Sequence, residues 1–162
     1  MIEARVMTRG AAGLILAVLL VACSPSRAGS PQPTGPLGLS ETPPPPDLDQ
    51  DQIELGETLY QQNCASCHRP DLSGDPDWKT ANADGSYPPP PHDSSGHTWH
   101  HSDRLLITLI RDGSDFPQTR MPTFGQTLGD DEISAILEYL KSKWGPEERA
   151  YQWQITWQES QR

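Results

Sequence analysis

Three residues capable of chemistry stand within five positions: Cys64, Cys67 and His68, in "QQNCASCHRP". Two thiols and an imidazole this close suit three purposes: a redox dithiol, a zinc site or the covalent attachment of haem. A redox dithiol of the thioredoxin kind needs a strand before the motif and a helix N-terminus at the reactive thiol. Here the motif closes a helical pattern, and no strand pattern precedes it. A structural zinc site needs four ligands, usually from two paired motifs. The remaining cysteine, Cys23, lies far upstream, so zinc would have to borrow from His92, His97, His100 or His101. Haem uses every residue of the motif. The two thiols add to the two vinyl groups of one porphyrin edge, and the adjacent histidine supplies an axial ligand. Cys-x-x-Cys-His is a specific signature of this attachment.

The iron then needs a sixth ligand. Of the three methionines, Met1 and Met7 fall in the leader and Met121 falls in "TRMPTFG", 53 residues after His68. A thioether there would favour reduced iron and raise the potential. The competing arrangement is bis-histidine ligation from the cluster at 92–101. That cluster also admits a copper site, and Arg69 and Arg120 are candidate partners for haem carboxylates.

Elements that could position these groups follow from periodicity and end signals. Residues 49–64 read as a first helix capped by Asp47 or Asp49, with Ile53, Gly56 and Tyr60 on one face and Leu55 and Leu59 beside them. Residues 103–112 read as a second, between Ser102 as N-cap and Gly113 as stop. Residues 130–144 read as a third, with acids first, lysines last and Gly145-Pro146 ending it. Ile133, Ile136, Leu137 and Leu140 form its apolar stripe. Between the first two helices lie 31 residues, Asp71 to His101, rich in proline and without regular pattern. So long a loop is plausible in a small domain if it wraps a cofactor. In the tail, Pro146 opens a short helix, and Tyr151, Trp153, Ile155 and Trp157 then alternate with polar residues as an extended segment would.

The N-terminus reads as an address. Arg5 and Arg9 precede an apolar run of 12 residues, 11–22, too short for the ~20 that span a bilayer. It ends in Val21-Ala22-Cys23-Ser24, which resembles the lipobox of bacterial lipoproteins. Cleavage before Cys23 and acylation of its thiol would tether the chain to a membrane, on the outer face of the cytoplasmic membrane or on the outer membrane. Residues 23–46 are Pro, Gly and Ser with little to bury, a tether reaching ~70 Å at about 3.1 Å per residue. The domain proper is expected over 47–145, followed by an aromatic tail over 146–162.

The whole chain has 162 residues, 34% hydrophobic, with 17 prolines and a net charge of -10. Removing the leader leaves 10 basic and 21 acidic residues, a charge of -11. An acidic chain is a poor ligand for nucleic acid. It suits solubility, or steering toward a basic partner.

Together, "LGETLYQQNCASCH", "RMPTFG" and "LGDDEISAILEYLKSKW" resemble a class I, single-haem cytochrome c over residues 48–145. The resemblance implies an all-α cytochrome c fold, with three main helices around one covalent haem c and a long Pro-rich loop. It implies that Gly56, Tyr60 and Tyr139 form the crossing of the first and last helices. It places Cys64 and Cys67 on the haem, His68 as proximal ligand and Met121 as distal ligand. It also implies that a proline carbonyl among 88–91 holds the other ring nitrogen of His68. The expected role is one-electron transfer between redox proteins of a membrane electron-transport chain, with no small-molecule substrate. An electron-entry subunit of a larger oxidase, reductase or dehydrogenase is the second reading; a copper-handling lipoprotein is the third.

Overall fold

The computed structural model describes residues 42–113 and 119–162. The leader, Cys23 and the tether up to residue 41 lie outside the described residues. Within them the chain is helical and contains no strand. Helix α1 (Gln50–Asn63) runs directly into a short α2 (Ala65–His68). After the long loop and a 3-10 turn (Thr98–His100) come α3 (Asp103–Asp112), α4 (Asp130–Ser142) and α5 (Pro146–Ser160).

The ends of these helices are made by the residues expected to make them. The Asp49 carboxylate accepts the backbone N–H groups of Asp51 at 2.9 Å and Gln52 at 3.2 Å. Ser102 Oγ accepts from the N–H of Leu105, and Gly113 ends α3 at φ 81°, in the left-handed region that favours glycine. At α4 the Glu132 carboxylate reaches back to the Gly129 N–H at 2.8 Å, and Asp130, Asp131 and Glu132 meet the positive end of the helix.

Helices α1 and α4 cross at Gly56. A Cβ there would run into the Ala135 carbonyl and come within 2.9 Å of Tyr139 Cβ. The absent side chain lets the backbones touch, and Tyr60 packs on Tyr139 beside them at 5.4 Å between ring centres. Ile133, Ala135, Ile136 and Leu140 complete the core below. Gly56→Ala must push two backbones apart, so it should cost ~1–3 kcal/mol or more. Thermal denaturation followed by far-UV circular dichroism checks this; an unchanged midpoint would mean that the helices do not cross here.

The loop at 71–101 is held by a repeated local device. The carboxylates of Asp71, Asp75, Asp84 and Asp93 each accept the backbone N–H two residues on, at 2.8–3.1 Å. These Asx turns stand in for a ladder. Much of the acidity of this stretch is therefore structural.

The tail differs from expectation. It is one helix of 15 residues, where alternation had suggested an extended segment. Residues 151 and 155 lie four apart, as do 153 and 157, so two i, i+4 stripes interleave as an apparent period of two. The face between the stripes is polar and packs inward. Gln152 is 3% exposed. Its amide donates to the His101 carbonyl at 3.1 Å and to Asp103 Oδ1 at 2.6 Å, while Thr156 Oγ1 accepts the Asp103 N–H at 3.1 Å.

Candidate functional site

Cys64, Cys67 and His68 meet at the junction of α1 and α2. The junction stays helical because the Cys64 N–H bonds to the Tyr60 carbonyl at 2.8 Å and the His68 N–H to the Cys64 carbonyl at 2.9 Å. This winds His68 inward, to 7% exposure, and leaves Cys67 at the surface. Both thiols are free. The chain then turns away sharply at Arg69, with φ 65° and ψ 152°, a conformation costly outside glycine. Tyr60 holds that turn by donating its hydroxyl to the Arg69 carbonyl at 3.0 Å, and Gln61 donates to the Pro70 carbonyl at 3.0 Å.

The His68 ring is fixed from two sides. Its Nδ1 lies 2.9 Å from the Pro90 carbonyl oxygen, which can only accept. Nδ1 therefore carries the proton, and Nε2 keeps the lone pair that binds a metal. Of the four prolines from 88 to 91, Pro90 is thus the one that orients the imidazole. Across its face lies the ring of His92, stacked at 4.0 Å between centres. Burial holds the His68 pKa below its ordinary 6.5, with the Pro90 bond opposing, so the neutral form persists at pH 7.

Residues without any chemical signature build this arrangement. Gly74, at φ 61°, lies so close to the Pro90–Pro91 peptide that a Cβ would come within 2.5 Å of Pro90 C and Pro91 N. Gly96 presses on the Pro91 carbonyl. His92 is pinned at both ends of its peptide: its N–H donates to the Leu72 carbonyl, and its carbonyl accepts Trp144 Nε1, each at 2.8 Å. The Trp144 bond ties the loop to the end of α4. Sequence reasoning did not single out Gly74 or Gly96, because their roles are visible only as interatomic distances. It noticed His92 only as one member of a histidine cluster.

Met121 lies in the segment between α3 and α4, partly buried and packed against the same hydrophobic core that borders Cys64. Arg120 pairs with Asp84. The four loop histidines divide: His92 stacks on His68, while His97 stacks on Trp78 at 5.0 Å and meets the edge of His101 at 5.5 Å, and His100 lies tilted against Trp99 at 3.7 Å. Among the described residues no group of three or more His, Cys, Asp or Glu side chains could hold a metal ion. The described residues thus offer no ready four-ligand set for structural zinc. The dithiol reading fares no better: burial, followed by the neighbouring Cys67, pushes the Cys64 thiol up to about 11, away from the thiolate that exchange chemistry needs.

The surroundings suit a haem. Trp99 Nε1 and His97 Nδ1 are buried and have no hydrogen-bond partner among the described residues. Such atoms cost free energy unless an acceptor or donor reaches them. The carboxylates of a haem are acceptors of this kind. The site is also proton-sensitive in its frame. Burial holds His92, His97 and His101 below the ordinary 6.5. The folded state thus binds fewer protons than the unfolded one, and its stability is fully present above pH 6.5 and lost as pH falls through the depressed values. Melting temperatures of the haem-loaded protein should fall by several degrees between pH 7.5 and pH 5. A flat profile would show that these rings are solvated.

Comparison with curated proteins returns no match. The family model "Cytochrome c" matches residues 53–144, more than half of the chain, from the first turns of α1 to the end of the turn after α4. Members of that family carry covalently attached haem c. With its single Cys-x-x-Cys-His motif and a fold that is helical and strand-free among the described residues, this chain belongs to the cytochrome c family.

Proposed function

We propose that the protein is a membrane-tethered electron carrier, with its haem attached through Cys64 and Cys67 and its iron held by His68 and Met121. The observation that carries this reading is the fixed imidazole: Nδ1 spent on Pro90, ring stacked on His92, Nε2 left for iron. The haem supplies a one-electron ferric/ferrous couple. The chain does the rest. His68 enters neutral, so no proton need leave before ligation. Tyr60 and the Pro90 carbonyl hold the proximal side against movement when the iron changes charge, which keeps reorganisation small. Cys67 is exposed, so a haem attached there would have an edge within reach of a redox partner. Met121 is the one thioether downstream of the leader, and a sulfur ligand favours the ferrous state.

The tethering part of the reading rests on Val21-Ala22-Cys23-Ser24 and the Pro/Gly/Ser run behind it. An anchored carrier samples partners near one membrane, and the acidic charge suits basic docking faces. The partners are then redox proteins of an electron-transport chain, and no substrate is transformed. Membranes stripped of the protein should lose electron flow from their reductant to their terminal acceptor, and added haem-loaded protein should restore it. A Cys23→Ser variant should restore it only at much higher concentration. Restoration by the variant at equal concentration would remove the tether from the account. Isolation in fixed ratio with a large catalytic subunit would favour the electron-entry subunit instead.

A further inference from the structure

Helix α5 begins beyond the segment that the family model matches, and it holds something. Its inner face is occupied by Gln152 and Thr156 on Asp103. One of its flanks is occupied by the chain's own tetraproline. Trp153 Nε1 donates to the Pro43 carbonyl at 2.7 Å, and the Arg149 guanidinium donates to the Pro46 carbonyl at 3.0 Å. We propose that α5 is a polyproline clamp, in which Arg149 and Trp153 grip Pro43–Pro46 and fasten the root of the N-terminal tether to the folded domain.

Two periodicities match. Consecutive prolines are confined to the polyproline II helix, which has three residues per turn, no internal hydrogen bonds and outward-facing carbonyls. Pro43 and Pro46, three apart, therefore present their carbonyls on one side, ~9 Å apart at 3.1 Å per residue. Arg149 and Trp153, four apart, share one face of α5, separated by ~6 Å of rise. The long arginine side chain spans the difference. The segment runs antiparallel to α5, Pro46 by Arg149 and Pro43 by Trp153. An indole N–H on a proline carbonyl beside aromatic surface is the chemistry by which proline-rich ligands are recognised in trans. Here Trp157 extends that surface, 6.1 Å from Trp153 between ring centres. Prolines lose little entropy on docking, so a short run can be held by few bonds.

The consequence rests on the lipid-anchor reading: with residues 43–46 clamped, the seven residues 43–49 no longer add to the distance between anchor and domain, a loss of ~22 Å at about 3.1 Å per residue. The domain would also leave the membrane in a set orientation.

The clamp itself can be tested whatever becomes of the lipid. In the full haem-loaded chain, the Trp153 indole proton should exchange with solvent at least tenfold more slowly than in a variant carrying Pro43→Ser, Pro44→Gly, Pro45→Ser and Pro46→Gly. Its resonance should shift between the two. The Trp144 indole, bonded to the His92 carbonyl, and the Gln152 amide should not change. A Trp153→Phe variant should be cut several-fold faster at Asp47 by an endoproteinase specific for aspartate. Equal Trp153 exchange in both chains, or unchanged cleavage at Asp47, would overturn the clamp. Loss of the Gln152 signal along with that of Trp153 would also overturn it, since α5 would then not be a preformed receptor.

Discussion

Replacing Cys64 and Cys67 together by alanine should yield a chain that has lost most of its helical circular dichroism. The reason is the size of what remains without the haem. The core of the described residues is 14 apolar side chains, most of them on α1 and α4. The loop at 71–101 adds Leu72 to that core and Trp99 to its edge, and otherwise rests on its own turns and on its bonds to α2, Trp144, Gly145 and Gln152. Among the described residues two buried polar atoms, on Trp99 and His97, have no partner, at ~1–3 kcal/mol each. Small domains keep a margin of only ~5–15 kcal/mol. A haem held by the thiols would bring apolar surface and acceptor groups to this small core, and folding would then couple to its binding as in other small metal-dependent domains. Far-UV spectra and melting of the double variant beside wild type measure this. A haem-free chain with the wild-type helical signal and a cooperative melt would show that the polypeptide core suffices alone.

The second large effect falls on the iron. Met121→Ala should keep its covalent haem, because the thiols that hold it are untouched. It should lose the sulfur-to-iron charge-transfer band of the oxidised protein. Its potential should fall by ~0.1 V or more, within the ~0.8 V that axial ligands command. Helix content should change little, since Met121 is only partly buried at the edge of the core. Spectra and a potentiometric titration decide the matter. If both are unchanged, another side chain holds the sixth position. The loop histidines are then the first suspects, although His92 is committed to His68 and Thr98.

What the sequence revealed depended on how local each cause was. Helices α1, α3 and α4 were legible because their signals lie within a few residues: Asp49 before α1, Ser102 and Gly113 around α3, acids opening α4, and an apolar stripe in each. The role of Gly56 was legible through the resemblance, which set it with Tyr60 and Tyr139 at the helix crossing, and the structure supplies its reason in the Ala135 carbonyl. The proline carbonyl could be narrowed to four neighbours. Choosing Pro90 required the three-dimensional register that Gly74 and Gly96 set from a distance. Helix α5 misled because two i, i+4 stripes imitate a strand, while its buried face is polar and escapes a search for apolar periodicity. Pro43–Pro46 reads as loose tether until Trp153, more than a hundred residues later in the chain, is placed beside it.

The most direct test of the central claim is an absorption spectrum of the protein, oxidised and reduced, with a pyridine haemochrome assay after denaturation. The account predicts one haem per chain that denaturation and solvent extraction fail to remove, reversible one-electron reduction, and a sulfur-to-iron band in the oxidised form. Haem that washes out, or none at all, would contradict it, and would return Cys64 and Cys67 to thiol chemistry.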